Sequence, residues 1–361
     1  MISTHDDEMR KWPSRRSFVA AAGAALSAPW LWTKPASGAG QVVVRTPGGV
    51  YEDVMRKTVY EPFTRATNIE VIPVAATMAK LLAMFKAGNV ELDVIDTGDQ
   101  ALLTLERLGA LAPIPYDKWK WGQPDEIFPN LRFPYRCSSL VFCTVLAYNT
   151  DSFPAGRHPK SWAEFWDTQK FPGPRMLADM ASGSVNFEFA LLADGVALDK
   201  LYPIDMNRAF KMFDKIRPSI KKFWDTGALS AQMLADKEVV LGSIWNGRLQ
   251  AIADKGAPVA VEWNQHMLLI QALGVFKDAK NKKEAQLLVD YSLAPKAQLG
   301  LAKELNYGPV NAKSFEMLSS DLVARLPGSP EQIKRCFIQD VQWWDENRAK
   351  VNAVWSKWIL S

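Results

Sequence analysis

Residues 41–49 read Gln-Val-Val-Val-Arg-Thr-Pro-Gly-Gly, and this stretch indicates the fold class. The β-branched run at its start predicts a short strand, and the Pro-Gly-Gly that follows predicts a tight turn. From Val50 to Phe63 apolar residues then recur at helical spacing. The segment is therefore a strand, a glycine turn and a helix, which is the repeating unit of a parallel sheet covered by helices.

The same unit follows twice more along the chain. Residues 69–74 predict a strand, after which Met78, Leu81 and Phe85 recur at helical spacing. Residues 92–95 predict a third strand, followed by a Leu-rich helix. This alternation predicts an α/β fold with a mostly parallel sheet.

Ligands of such sheets bind at the carboxyl ends of the strands, which here are the turns at residues 46–51, 74–78 and 96–99. Free backbone N–H groups at the helix N-termini in these turns favour an anionic or polar group of a ligand. The candidate ligand-binding residues in these turns are Gly48, Tyr51, Thr77, Thr97 and Asp99.

The composition is that of a folded protein: of 361 residues, 48% are hydrophobic and 23% are charged. A chain of this length predicts two domains. The net charge is +4, but residues 40–361 carry only +2, because basic residues outnumber acidic ones in the first 39. A nearly neutral body argues against a nucleic-acid partner, which requires clustered basic charge.

The N-terminus has the pattern of an export signal. Arg15 and Arg16 directly precede an apolar stretch, Phe18–Leu31, that is too short to span a bilayer. Small residues follow at positions 37–40, and the paired arginines resemble the twin-arginine export signal of bacteria. We treat residues 1–39 as a signal peptide; a membrane anchor or a chance Ala-rich segment is the alternative reading.

The cysteines do not predict a disulfide framework. Cys137 and Cys143 lie six positions apart in a strand-like run, roughly 20 Å in extended chain, which is beyond the reach of a disulfide. With Cys336 as the third cysteine, at most one long-range disulfide can form.

Residues beyond 149 predict a second α/β unit. Strands are expected near residues 175–179, 239–244 and 259–263, and helices near 187–193 and 207–217. From Ala272 onward the pattern predicts helices, through residues 283–293, 297–304 and 330–360.

Segments along the whole chain resemble the solute-binding proteins of ABC importers, in the family that includes the periplasmic spermidine/putrescine-binding proteins. They occur in family order and cover nearly all of residues 40–361. The segments are Gly48-Gly-Val-Tyr51, Glu61-Pro-Phe63-Thr64, Leu92-Asp-Val-Ile95, Leu108-Gly-Ala-Leu111, Val145-Leu-Ala-Tyr148-Asn149, Lys160-Ser-Trp162, Gly242-Ser-Ile-Trp245-Asn246-Gly247, Ala279-Lys-Asn281-Lys and Tyr307-Gly-Pro-Val-Asn311.

The resemblance implies a two-lobed periplasmic binding protein of type II, in which each lobe is a mixed sheet flanked by helices. Crossovers are expected near residues 144–148 and 270–275. The first lobe would comprise residues 40–144 and 276–361, and the second lobe residues 145–275. The solute would bind in the cleft between the lobes.

The resemblance also implies the partners and the location of the protein. We expect a periplasmic monomer that delivers a small-molecule solute to an ABC permease and ATPase in the inner membrane. Closure of a cleft suffices for this task, so no reactive centre is required. We expect no catalytic residue, no metal and no cofactor.

The sequence departs from the polyamine-binding members of the family where their carboxylates hold the dication. By the resemblance, the positions of those carboxylates correspond to Ser182, Val185 and Gln271 in this chain. A buried ammonium group without a carboxylate partner is costly. We therefore expect weak spermidine binding or none, and a compact amine or amino-acid-like solute instead.

The second set of candidate ligand-binding residues comes from the second lobe and the crossover. Aromatic rings there can stack on a solute or lie over an organic cation. The acidic residues Asp179, Glu188 and Glu262 either contact the solute or are ordinary surface charges. The further candidates are Ser182, Asn186, Trp245, Asn246, Trp263 and Gln271.

Three other function classes remain open. A periplasmic Fe(III)-binding protein shares the fold, but Gly308 follows Tyr307 where adjacent tyrosines are expected. An exported enzyme would need converging catalytic groups, and no nucleophile elbow, HExxH or phosphate loop occurs. A binding protein that serves a sensor instead of an importer has the same sequence pattern.

Overall fold

The computed structural model describes residues 40–183 and 185–361, so the expected signal peptide lies outside the described residues. Strands β1–β3 are short and contain several β-branched residues, and β1 alternates between buried and half-buried positions. The strands are β1 (Gln41–Arg45), β2 (Glu70–Val74), β3 (Val94–Gly98), β4 (Cys137–Asn149), β5 (Arg175–Ala178), β6 (Ile220–Trp224), β7 (Leu241–Trp245), β8 (Val259–Val275) and β9 (Cys336–Ile338).

Polar side chains fix the starts of several helices: Thr77, Asp205, Thr226 and Asp340 each accept a hydrogen bond from a backbone N–H in the first turn. No helix among the described residues is long and apolar enough to cross a membrane. The helices are α1 (Gly49–Met55), α2 (Glu61–Thr67), α3 (Met78–Ala87), α4 (Asp99–Arg107), α5 (Trp162–Trp166), α6 (Phe187–Ala193), α7 (Met206–Ile216), α8 (Gly227–Ala235), α9 (Asn246–Ala253), α10 (Lys282–Ser292), α11 (Leu299–Leu305), α12 (Ala312–Glu316), α13 (Ser320–Val323) and α14 (Val341–Leu360).

The strands form one mixed sheet in the order β2-β1-β3-β8-β4-β7-β5-β6, with β9 beside β8. Strand β1 pairs in parallel with β2 and β3, and β5 pairs in parallel with β6 and β7. The antiparallel strands β4 and β8 lie between these groups. We call the part around β1–β3 the first half and the part around β5–β7 the second half. The expected α/β fold, a mixed sheet flanked by helices, is confirmed.

Strands β4 and β8 belong to both halves. Residues 271–275 of β8 pair with β3, whereas residues 259–262 pair with the end of β4. On β4, residues 144–148 pair with β7 of the second half. The chain therefore passes between the halves at about residues 141–144 of β4 and 263–270 of β8, a few residues before the crossovers that the sequence predicts.

Two segments that the sequence predicts to be helical are not helical. Residues 272–275 are the end of β8, because β3 and β4 pair with them from opposite sides. A short apolar run that is buried on both sides has no diagnostic period. Residues 336–338 form β9 beside β8, and α14 begins only at Val341, after the cap Asp340.

The second half has an aromatic core that also includes the C-terminal helix. Trp162, Phe187 and Phe213 are fully buried there, and Trp344 and Trp355 of α14 pack into the same cluster. The apolar face of α14 thus packs on the second half, although α14 lies within the range that the sequence assigns to the first lobe.

The three cysteines are free thiols. Cys143 pairs with Leu268 on one side of β8, and Cys336 pairs with His266 on the other side. Two strand spacings, roughly 9.5 Å, therefore separate the strands that carry them, and this exceeds the reach of a disulfide.

Candidate functional site

A cavity of about 180 Å³ lies where the two halves meet β4 and β8. It receives the carboxyl end of β3 and the N-terminus of α4, as expected for a sheet of this type. The residues that line it are Gly98, Asp99 and Gln100 of the first half, Ser182, Gly183 and Trp245 of the second half, Phe142 and Leu268–Ile270 of β4 and β8, and Gln339 and Val341 next to α14.

A larger recess of about 460 Å³ runs along α14. Its lining residues, among them Asp179 and Trp355, all come from residues 179–181 and from α14. This recess receives no strand end from the first half, whereas the smaller cavity combines both halves. We therefore take the smaller cavity as the candidate solute site.

Asp99 is the acidic residue of the cavity wall. Its Oδ1 accepts a hydrogen bond from Arg136 Nε at 2.5 Å, while Oδ2 is buried and has no hydrogen-bond partner in the described part of the chain. Burial raises the pKa of the Asp99 carboxyl, and the Arg136 charge opposes that shift. One carboxylate oxygen is thus engaged and the other is free to accept a hydrogen bond.

Two glutamine amides of the same wall are incompletely paired. Nε2 of Gln100 and Nε2 of Gln339 are both buried without a hydrogen-bond partner among the described residues. Buried polar atoms are rarely left unpaired in folded proteins. Together with Oδ2 of Asp99, these atoms are one unpaired acceptor and two unpaired donors that belong to residues of the cavity wall.

Apart from Ser182 and two glycines, the rest of the wall is apolar and aromatic. Trp245 packs edge to face on Phe142, with ring centroids 6.2 Å apart, and on Trp224 at 5.4 Å. The main contribution of β8 is Leu268–Ile270. An apolar pocket with a few convergent polar groups is typical of small-molecule sites.

A second group of polar side chains lies around Asp96 of β3, and we call it the Asp96 cluster: Arg45, Tyr51, Asp96 and Gln271. The Tyr51 hydroxyl donates to Asp96 Oδ2 at 2.7 Å, and Gln271 Nε2 donates to Asp96 Oδ1 at 2.7 Å. Arg45 Nη1 donates to the Asp96 backbone carbonyl at 2.6 Å. Burial raises the pKa of Asp96 to about 6, although the hydrogen bonds from Tyr51 and Gln271 oppose the shift. Both carboxylate oxygens of Asp96 are therefore occupied.

Of the sequence-predicted site residues, the structure brings Asp99, Ser182 and Trp245 together in the cavity wall. The hydroxyl of Ser182 also donates to the Asp179 carbonyl at 2.8 Å. Tyr51 and Gln271 contact Asp96 as described, and Thr97 pairs with Ala272 one position before the cavity wall begins.

The other predicted residues lie at helix starts or between elements. Gly48 precedes α1 with a φ of 79°, and Thr77 is exposed, with its side chain accepting from Lys80 N. Asn186 accepts hydrogen bonds from Ala178 N and Ser243 Oγ, and Asn246 joins β4 to residue 306 through Cys143 N and the Asn306 carbonyl. Trp263 lies in the β8 crossover, edge to face with His266.

The three additional acidic residues are engaged elsewhere. Glu188 accepts from Tyr202 Oη at 2.5 Å and from Trp344 Nε1 at 2.7 Å, and burial raises its pKa. Glu262 lies 3.0 Å from His158 Nε2, and Asp179 accepts from Trp355 Nε1. Among the described residues, no group of three or more His, Cys, Asp or Glu side chains could hold a metal ion.

Sequence reasoning missed Gln100 and Gln339. Gln100 follows Asp99 at the start of a helix, and that position could have drawn attention to it. Gln339 carried no local signal, because it reaches the cavity only through the long-range pairing of β9 with β8.

Three comparisons with known proteins bear on this site. A family model described as bacterial extracellular solute-binding protein matches residues 58–330. The γ-aminobutyric acid (GABA)-binding protein of Pseudomonas aeruginosa is 29% identical over 318 residues, which cover 86% of this chain and 88% of that protein. The spermidine/putrescine-binding periplasmic protein of Escherichia coli is 25% identical over 275 residues, covering 73% of this chain and 76% of the relative.

Solved structures give the same result for the fold. The structure of the Atu4243 GABA receptor superposes with a TM-score of 0.80 at 32% identity. The match covers 88% of this chain and 97% of that one. The resemblance to solute-binding proteins that the sequence indicates is therefore confirmed over most of the chain.

Proposed function

Because this chain belongs to the family of bacterial extracellular solute-binding proteins, we propose that it is the substrate-binding component of an ABC importer for a compact amino-acid-like solute such as GABA. The observation that carries this proposal is the cavity between the halves, whose lining residues include aromatic and apolar side chains and carry one unpaired carboxylate oxygen and two unpaired amide nitrogens. A zwitterion has the complementary groups. Asp99 Oδ2 can accept from its ammonium group, and the amides of Gln100 and Gln339 can donate to its carboxylate.

The size of the cavity favours a short solute. A volume of about 180 Å³ is small for a ligand pocket, which ordinarily measures about 300–1,000 Å³. GABA is a short solute, whereas spermidine is considerably longer. The two similar proteins that are named for GABA support the same choice.

The charge of the cavity argues against a polyamine. Among the described residues that line it, Asp99 is the only acid, and Arg136 already neutralises part of its charge. A dication would bury a second ammonium group without a carboxylate partner, which is costly. The aromatic pair Phe142 and Trp245 suits one organic cation beside Asp99.

The cellular setting is part of the proposal. Residues 1–39 direct twin-arginine export, and the mature protein works as a periplasmic monomer with a permease and an ATPase of the inner membrane. The two lobes correspond to the two halves of the sheet, which meet at residues 141–144 and 263–270, with α14 on the second lobe. Binding and release occur by lobe closure and opening without catalysis.

Titration calorimetry of residues 40–361 with GABA, putrescine, spermidine and choline tests the proposed solute class. We expect GABA to bind with a dissociation constant of about 10 μM or lower, and spermidine to bind at least ~100-fold more weakly. Submicromolar spermidine binding, or no GABA binding, would contradict the proposed solute class.

A further inference from the structure

Helix α14 contacts the two halves through two different faces. On the second half its contacts are aromatic: Trp344 stacks on Phe187 with centroids 6.1 Å apart, and Trp355 packs on Phe213 at 5.5 Å. Trp344 and Trp355 are almost fully buried. This face is a permanent part of the second-half core, because exposing such rings to water costs several kcal/mol.

The contacts of α14 with α4 of the first half include a row of polar pairs. Asp345 accepts from Thr104 Oγ1 at 2.7 Å and from Arg107 Nη1 at 2.6 Å, and Glu346 accepts from Arg107 Nη2 at 2.9 Å. The side chains of Arg107 and Glu346 are partly exposed. Ion pairs of this kind exchange with water at little cost, so this contact can open while the aromatic contact stays closed.

Arg348 of α14 lines the larger recess and contacts two residues of the cavity wall. Its Nη2 donates both to Oε1 of Gln100 in the first half and to the backbone carbonyl of Gly183 in the second half, the latter at 2.8 Å. Gln100 and Gly183 both line the cavity. A single guanidinium nitrogen therefore joins the two sides of the candidate site.

The hydrogen bond from Arg348 also sets the orientation of the Gln100 amide. A glutamine amide has an oxygen that only accepts and a nitrogen that only donates. With Oε1 held by the guanidinium, Nε2 is the group left for another partner, and it is buried without one among the described residues. The carboxylate of a solute is the type of partner that such a donor requires.

We propose that Arg348 is a positioning residue that couples lobe closure to recognition of the solute carboxylate, by bridging Gln100 and Gly183 and turning the Gln100 amide nitrogen toward the solute. The proposal rests on the proposed function of the same cavity. When the lobes separate, α14 stays with the second half and the bridge to Gln100 breaks. Nε2 of Gln100 is therefore oriented toward the solute only when the lobes are closed.

The test compares two probes that differ by one carboxylate, GABA and n-butylamine. Affinities are measured by calorimetry and GABA release by stopped-flow tryptophan fluorescence, for the wild type, Arg348→Met, Gln100→Leu and the double variant. Arg65→Met is the matched control, because Arg65 makes an exposed pair with Glu61 on α2. Thermal unfolding without solute shows whether each variant is folded.

We expect Arg348→Met to weaken GABA binding about tenfold, mainly through faster release, and to weaken n-butylamine binding less than about threefold. When Arg348→Met is added to Gln100→Leu, GABA affinity should fall much less, because the hydrogen-bond partner of Arg348 in the first half is already absent. Arg65→Met should leave both affinities unchanged.

Equal losses for both probes, additive losses in the double variant, or no loss in Arg348→Met would each overturn the role of Arg348 while leaving the proposed function in place. If the wild type binds neither probe, the proposed solute class fails, and the role of Arg348 falls with it.

Discussion

The Asp96 cluster and the cavity wall lie side by side at the carboxyl end of β3, and they differ in whether their hydrogen bonds are complete. In the Asp96 cluster, Tyr51 and Gln271 satisfy both carboxylate oxygens. In the cavity wall, one oxygen of Asp99 and the amide nitrogens of Gln100 and Gln339 have no partner in the described part of the chain. A complete buried network stabilises the fold, whereas unpaired buried groups cost free energy until a ligand pairs with them. The unpaired atoms of the cavity wall are therefore the groups that we expect a solute to engage, whereas the Asp96 cluster needs no further partner.

The largest effect that we expect from this difference is a pH dependence of stability in the Asp96 cluster. Burial raises the pKa of Asp96 from 3.8 to about 6, so the folded state favours the protonated acid. The raised pKa therefore stabilises the folded state fully at a pH below the ordinary pKa of the carboxyl, and this stabilisation is lost as the pH rises through about 6. A shift of this size corresponds to about 3 kcal/mol. Asp96→Asn removes this titration, so the free energy of unfolding of the wild type should fall by about 3 kcal/mol relative to that of the variant between pH 3 and pH 8.

Urea unfolding of both proteins at closely spaced pH values measures this difference. Asp199→Asn is the matched control, because Asp199 is exposed and pairs only weakly with Lys200. If the free energy of unfolding depends on pH in the same way in the wild type and in Asp96→Asn, then Asp96 stays ionised in the folded protein.

The next effect concerns the incomplete wall and is a loss of solute affinity without a loss of stability. Gln339→Leu keeps the side-chain volume and removes an amide whose Nε2 is unpaired among the described residues. A hydrogen bond to a charged group contributes about 1.5–3 kcal/mol, so GABA affinity should fall roughly 10- to 100-fold. Without solute, the free energy of unfolding should not fall and should rise by about 1 kcal/mol or more, because the variant no longer buries an unpaired amide.

Gln298→Leu is the matched substitution at a buried glutamine whose amide is satisfied. Its Nε2 donates to the Ser139 carbonyl, and its Oε1 accepts from Val310 N and Asn311 N. We expect this variant to lose about 2 kcal/mol or more of stability and to keep its GABA affinity. If Gln339→Leu and Gln298→Leu change the free energy of unfolding and the GABA affinity in the same way, the distinction between paired and unpaired polar groups does not hold.

Much of the fold could be predicted from local sequence patterns. The predicted strand near residues 41–46 and the predicted helix near 187–193 correspond to β1 and α6. A β-branched run that ends at Pro47 indicated β1. The end of β8 could not be predicted in the same way. Ala272 and its neighbours are buried by strands that come from distant parts of the chain, so they have no amphipathic period.

The site was predictable where it follows a strand end. Asp99 comes directly after β3, so the rule for parallel sheets indicated it. Trp245 is the last residue of β7, and the sequence indicated it only as an aromatic ring that can stack on a solute. Gln339 and Arg348 reach the site through β9 and α14, whose positions depend on long-range pairing and on the aromatic core. The sequence also does not show which polar side chains find a hydrogen-bond partner in the fold. From the sequence alone, Gln271 and Gln100 are equally plausible as donors to a solute.

The smallest expected effect tests Tyr51, which the sequence proposes as a solute contact and whose hydroxyl donates to Asp96 in the structure. Tyr51→Phe removes one hydrogen bond from the complete cluster and should lower the free energy of unfolding by about 1 kcal/mol. Because that bond also lowers the pKa of Asp96, the loss should be larger at pH 7.5, where the carboxyl is ionised, than at pH 5. GABA affinity, measured by calorimetry on the same samples, should change less than about threefold. A tenfold loss of GABA affinity would instead make Tyr51 a solute contact, and the Asp96 cluster would then belong to the binding site and not to its support.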